Sequence, residues 1–295
     1  MWTWRRPWVI GGYACYAVAL FALFTYLKFP SQQVRSFVLT TLARLGLERV
    51  QIGTVRPQLP AGLTFREVSL AHEVNGRPLE LVRLPALQLQ LRTLPAFANP
   101  LRIEFEGGLY GGNILGAVEW EHNGKGPIFE VRANLRDIRP AAHPLVARLG
   151  SPAFEGKLAG NVTLHLSSPQ WQDGDGRLLI QGEAGSIAGL EIKGLRLPTL
   201  AYEQLAGELV LQQRSLVVKN FLMQGRDWQV EVQGNISLRE ALLQSPLDLA
   251  LRVRTSDPLE QQLGMIGMFL KGRRDRRGFT AFKIGGTLEN PNAML

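Results

Sequence analysis

Phe129-Glu130-Val131-Arg132-Ala133-Asn134-Leu135-Arg136 sets apolar and polar residues in strict alternation. Successive side chains of a β-strand point to opposite faces, so this stretch reads as a strand with one dry and one wet face. The same period of two recurs along the chain from Val50 onward. Leu87, Leu89 and Leu91 alternate with Gln88, Gln90 and Arg92, and Leu101, Ile103 and Phe105 with Arg102, Glu104 and Glu106. Val162, Leu164 and Leu166 alternate with Thr163 and His165, and Trp228, Val230 and Val232 with Gln229, Glu231 and Gln233. Leu247, Leu249, Leu251 and Val253 alternate with Asp248, Arg252 and Arg254. Between or beside these runs, Gly107-Gly108, Gly111-Gly112, Asn123-Gly124, Asp173-Gly174 and Gly285-Gly286 signal turns or bulges. The pattern predicts a mainly β body of antiparallel strands over 50–295, as a meandering sheet, a sandwich or an open barrel.

Three interruptions carry helical signals: one near Pro140–Leu149, a brief one near Leu238–Leu243, and one from Asp257 to Lys271. In the last, Asp257 reads as the cap and Pro258 as the first helical residue. Its apolar residues Leu259, Leu263, Ile266, Met268, Phe269 and Leu270 suit a lid, a cap or a membrane-surface helix. A weak boundary falls at 143–152.

Upstream, Trp8 to Leu27 contain no charge and no proline. Such a run is long enough, at 1.5 Å per residue, to cross a hydrocarbon core of roughly 30 Å. Trp8, Leu20, Phe21, Leu23, Phe24 and Leu27 are its anchor candidates. Arg5 and Arg6 precede it, which favours a cytoplasmic N-terminus and a periplasmic body. The competing reading, a cleaved signal peptide, lacks a small-residue cleavage site before Lys28-Phe29-Pro30. The domain plan is a tip and single-pass inner-membrane anchor over 1–28, an amphipathic helix over 29–49 and the β body over 50–295. The helix sets Val34, Phe37, Val38, Leu42 and Leu45 on one face. It suits a membrane surface or a cap on the β body equally.

The 295 residues and hydrophobic content of 45% suffice for a large core and exclude a disordered chain. The formal net charge of +8 suits anionic partners. The single cysteine, Cys15, permits no intramolecular disulfide. Four histidines lie far apart, and no nucleotide-binding, metalloprotease or nucleophile-elbow motif occurs. Asp173-Gly174-Asp175-Gly176 lacks the following bidentate acid of a calcium loop and reads as a turn. Glu119 and Glu121 read as solvated strand charges rather than an acid–base pair. The sequence therefore predicts no catalytic residues, no metal and no cofactor, and a protein that is not an enzyme.

Two surfaces remain. Lys271 to Arg277 is the densest basic cluster, and Arg273, Arg274, Arg276 and Arg277 are candidates for anionic contact. A nucleic-acid partner is not expected, because this topology sets the cluster outside the cytoplasm. The aliphatic faces offer Leu87, Leu89, Leu91, Val162, Leu164, Leu166, Leu249 and Leu251 as lining for an apolar groove. Phospholipid would be its occupant. The same pattern equally describes a closed core.

Two segments resemble a known family. One is Val50–Phe65, which contains Arg56-Pro57-Gln58-Leu59-Pro60-Ala61-Gly62-Leu63-Thr64-Phe65. The other is Phe282–Pro291, which contains Gly285-Gly286-Thr287-Leu288-Glu289-Asn290-Pro291. With the N-terminal apolar run, they resemble the type II secretion system protein N family (GspN) in its AsmA-like form. The resemblance implies an N-terminal transmembrane helix followed by an elongated, curved antiparallel β-sheet with a few short helices. It implies an accessory role in type II secretion, with the inner membrane and other secretion components as partners. The wider AsmA-like group implies the alternative of a lipid-binding or phospholipid-transfer module of the cell envelope.

Overall fold

The computed structural model describes residues 16, 28–44, 49–59, 61–74, 77–92, 100–122, 127–143, 153–167, 171–189, 191–192 and 195–294. Helix α1 covers Ser31–Arg44. Among the described residues no helix is long and apolar enough to cross a membrane. Helix α1 itself has 14 residues, which at 1.5 Å each reach only about 21 Å, and it carries arginines at 35 and 44. The expected transmembrane helix, and the single-pass inner-membrane topology built on it, are corrected accordingly. The fold is mainly β, with one large antiparallel sheet and few helices. The anchor candidates Trp8, Leu20, Phe21, Leu23, Phe24 and Leu27 lie outside the described residues.

The strands are β1 Val50–Gln58, β2 Gly62–Val74, β3 Arg77–Leu91, β4 Leu101–Leu109, β5 Gly112–His122 and β6 Pro127–Ile138, followed by β7 Ala153–Glu155, β8 Leu158–Leu166 and β9 Asp175–Gly182. Next come β10 Gly185–Ala188, β11 Glu191–Ile192, β12 Leu195–Arg196, β13 Leu200–Tyr202, β14 Gln204–Gln212, β15 Ser215–Gln224 and β16 Trp228–Ser237. After β17 Leu247–Thr255, helices α2 Asp257–Leu263 and α3 Met265–Gly272 precede β18 Thr280–Gly286 and β19 Pro291–Met294.

Fourteen strands form one sheet in the order β1-β2-β3-β4-β5-β6-β8-β9-β14-β15-β16-β17-β18-β19. Every neighbouring pair is antiparallel and sequential but for two skips, across β7 and across β10–β13. Local pairing of this kind follows from short turns between alternating strands. The skipped residues form a three-stranded sheet, β13-β10-β7, and a small hairpin of β11 and β12.

Two clusters cap the main sheet. At one end Val34, Val38 and Leu39 of α1, with Phe29, pack on buried Ile52, Val55 and Phe65. Phe37, expected on the same helical face, is instead 72% exposed. Toward the other end Phe154, Ile187 and Leu200 of the small sheet meet Tyr202, Leu205, Met223, Trp228 and Leu259. A third cluster joins Leu238 and Leu242 of the β16–β17 loop to Leu211, Ile236 and Leu249. The helical signals resolve into smaller pieces. Pro140–Ala142 and Leu242–Gln244 are single 3-10 turns, and the expected helix from Asp257 breaks at Gly264 into α2 and α3.

Gly116 in β5 is required by close approach. A Cβ there would lie 2.1 Å from the Arg132 carbonyl oxygen and 2.6 Å from Cζ of Phe105. The first contact is backbone and cannot swing aside. Gly116→Val is expected to destabilise the chain by roughly 3 kcal/mol, read as a lower unfolding midpoint in urea. An unchanged midpoint would mean that β5 and β6 sit farther apart than described.

Candidate functional site

Residues directly opposite in an antiparallel ladder share a face, so the register traces each row of side chains across the sheet. One row runs Leu63, Leu89, Phe105, Gly116, Ala133, Val162, Leu178, Leu209, Val218, Gly234, Leu249 and Ile284. The next runs Leu91, Ile103, Val118, Val131, Leu164, Gly176, Leu211, Leu216, Ile236 and Leu247. A third crosses Phe65, Leu87, Gly107, Ile114, Leu135, Gly160, Ile180, Gly207, Phe221, Val232, Leu251 and Phe282. All of these side chains lie on one face, and none carries a charge. Small residues recur within the rows, and larger neighbours lean over them. At Gly176, for instance, the Leu164 methyl lies 2.9 Å from where a Cβ would stand.

The eight predicted groove residues therefore do share a face. They do not share an environment. Leu87 and Leu89 pack against the α1 cluster, and Leu164 and Leu249 against the cluster of Leu211, Ile236 and Leu238. Leu91, Val162, Leu166 and Leu251 belong to none of these three clusters and are half-buried. Between the caps the contrast in burial is sharp. Tyr202 is 1% and Ile52 2% exposed under the caps. Ile103, Phe105, Ile114, Val118, Phe129, Val131 and Leu178 remain half-buried, and Trp120 is 42% exposed. Among the described residues, β4, β5 and β6 contribute to none of these three clusters, whereas Leu87 and Leu89 of β3, Leu158 and Leu164 of β8 and Ile180 of β9 do. With strands about 4.8 Å apart, β4 and β6, the outer two of the three strands, lie roughly 10 Å apart. Trp120 and Phe129 stack with ring centroids 6.3 Å apart along one margin.

The opposite face is polar and self-paired. Arg92 bonds Glu104 at 2.7 Å, Arg102 bonds Glu119 at 3.1 Å and Arg132 pairs with Glu130. A depression of about 500 Å³ lies among these residues, with Gly116 and Ala117 also in its lining. Its lining carries three arginines and four glutamates, and the arginines are each paired with a glutamate. Glu119 is thus an ion-pair partner of a strand arginine. Asp173 similarly lies 3.6 Å from Arg214.

Of the basic cluster, Arg274 is turned inward. Its guanidinium donates to the Thr255 carbonyl at 2.7 Å and to the buried Glu260 carboxylate. Arg273, Arg276 and Arg277 are exposed. Asp275 serves the turn: backbone N–H groups of Phe279 and Arg277 donate to its carboxylate, and the former most of all holds its pKa below the ordinary value. Burial pushes the Tyr202 hydroxyl up, where it donates to the Glu155 carbonyl at 3.2 Å.

The two segments that carry the family resemblance form the two ends of the sheet. Val50–Phe65 comprises β1, its loop and the start of β2, with Gln58 opposite Gly62. Phe282–Pro291 ends β18 and turns into β19, and N–H groups of Leu288 and Glu289 donate to the Ser245 and Leu243 carbonyls. Comparison with protein-family models, with curated proteins and with solved structures gives no match.

Proposed function

We propose that the chain is a non-enzymatic lipid-binding module whose apolar sheet face over β4, β5 and β6 seats phospholipid acyl chains. The observation that carries this reading is the uncharged, half-buried surface flanked by clusters that do have second layers. Each methylene taken from water is worth about 0.8 kcal/mol, so an acyl chain lying along the rows gains several kcal/mol even when only one side is covered. The rows offer no charge to fix a headgroup, so contact is with chains rather than with one lipid species.

A photoreactive benzoylphenylalanine placed in the full chain tests the face directly. At Val131 it is expected to yield phospholipid adducts in cells, and at the neighbouring Arg132, on the other face, few or none. Adding Val118→Asp should reduce the Val131 adducts to the Arg132 level. Absence of lipid at Val131, or equal yields at both positions, would mean that the face is covered in the working protein.

A second reading is an accessory role in type II secretion. It is favoured by the position of the two resembling segments at β1 and at β18–β19, the ends of the sheet. Among the described residues the terminal strands β1 and β19 are each paired on one side only. Unpaired edges accept a partner's strand. Deleting the gene is then expected to reduce secretion or the levels of other secretion components, and unchanged secretion and levels would count against the reading.

A further inference from the structure

Helices α2 and α3 form a hairpin between β17 and β18 that is fastened to the sheet. Ser256 Oγ caps α2 by accepting from the Leu259 N–H at 3.5 Å. Gly264, at φ 58°, turns the chain into α3. Gly267 then allows α3 to lie against α2, since a Cβ there would sit 2.0 Å from the Glu260 carbonyl oxygen. Leu259 and Leu270 are buried, and Thr280 Oγ1 donates to the Leu270 carbonyl at 2.8 Å. Arg274 closes the base through Thr255 and Glu260.

What the hairpin leaves outside is not explained by folding. Met265 and Met268 are each 70% exposed, and Phe269 is 38% exposed. Their spacing of i, i+3 and i+4 sets them on one stripe. Exposed Lys271, Arg273, Arg276 and Arg277 follow closely in the chain. The Arg273 guanidinium lies 5.0 Å from the Phe269 ring centre. Arg276 and Arg277 form no ion pair among the described residues. The nearby acids are engaged: Asp257 lies 3.7 Å from Lys271, Glu260 holds Arg274, and Asp275 accepts from its own turn and from Arg252. The surplus charge of the segment 257–277 is therefore positive.

We infer that this hairpin docks on a bilayer surface rich in anionic phospholipid, with Met265, Met268 and Phe269 entering the interface and Arg273, Arg276 and Arg277 meeting headgroup phosphates. An exposed apolar stripe with exposed cations directly after it in the chain matches the boundary between acyl chains and phosphates, where both can be satisfied at once. The surface is separate from the apolar sheet face and does not depend on its role. Each arginine near an anionic surface contributes about fivefold to binding, so three together contribute on the order of a hundredfold.

Hydrogen exchange of the full chain, followed by mass spectrometry, reads the hairpin independently of any other contact with the vesicle. With vesicles of equimolar phosphatidylglycerol and phosphatidylcholine, amides of Met265–Arg277 are expected to exchange more slowly than in buffer. With phosphatidylcholine alone they should not. The protection should vanish in R273E/R276E/R277E and fall in Met268→Ser/Phe269→Ser, while β17 and β18 exchange as in the parent chain. Protection that is absent, equal on neutral vesicles, or reproduced by soluble glycerophosphate would overturn the proposal.

Discussion

Trp228→Ala is expected to cost about 3–5 kcal/mol, close to the whole margin by which many domains stay folded. Trp228 opens β16, and its indole N–H donates to the Ala201 carbonyl at 2.7 Å. Ala201 lies in β13, so this one side chain ties the three-stranded sheet to the large one. Its ring also packs with Tyr202, Leu205, Met223 and Leu259, which joins α2 to the same cluster. Truncation removes the largest piece of that core and leaves a cavity between layers that cannot close without moving a strand. Trp228→Phe separates the two contributions. It keeps much of the volume but loses the hydrogen bond, and should cost about 1–2 kcal/mol. Urea unfolding gives the magnitudes. Hydrogen exchange gives the place, with β7, β10 and β13 losing protection before the rest of the sheet. A loss below about 1 kcal/mol in the alanine variant would mean that the small sheet is held by other contacts.

The same small sheet shows where sequence reading stops. The alternation of Phe129–Arg136 maps onto β6, and the long strands around it are legible because several turns of the same period repeat. Ala153–Glu155, Gly185–Ala188 and Leu200–Tyr202 are too short to show any period. Their pairing is set by the layer beneath them rather than by their own residues. Glycines mislead in the opposite direction. Gly107-Gly108 has the composition of a turn, yet it lies inside β4, opposite Ile114 and Asn113. The reversal is made instead by Tyr110 and Gly111, at φ 47° and 74°. Gly107 is a small residue within an apolar row, where period counting sees only a gap.

The candidate site was legible in its chemistry but not in its extent. Alternation alone puts Leu89 and Val162 on dry faces. That these are the same face follows only from the register through Phe105, Gly116 and Ala133. Which parts of that face are covered cannot be read from the period at all, since a row under α1 and a row facing outward have the same pattern. Ile103, Val118 and Val131 were therefore as visible as Leu87, while their different burial was not. Among the basic residues, position in the run gives no hint that Arg274 turns inward. That is decided by Glu260, fourteen residues away on α2.

Arg274→Met is the second change with a large expected effect, about 3–5 kcal/mol. Glu260 is 5% exposed, and its Oε1 accepts from both Thr255 Oγ1 at 2.7 Å and Arg274. Among the described residues its second oxygen has no partner, and neither has Arg274 Nε, so the site is only partly satisfied by them. Removing the cation leaves a carboxylate in a buried position with a single hydroxyl for company. Breaking a buried pair in this way costs far more than the pair itself contributes, because the desolvated charge stays behind. Arg274→Met/Glu260→Leu should accordingly recover most of the loss, since it removes the charge as well as its partner. Arg276→Gln and Arg277→Gln should each lie within about 0.5 kcal/mol of the parent chain, because their side chains are exposed and unpaired. Urea midpoints of the four variants distinguish the structural arginine from the surface ones. If the double variant is no more stable than Arg274→Met alone, the cost lies in lost packing between α2 and the turn at Asp275 rather than in the stranded carboxylate.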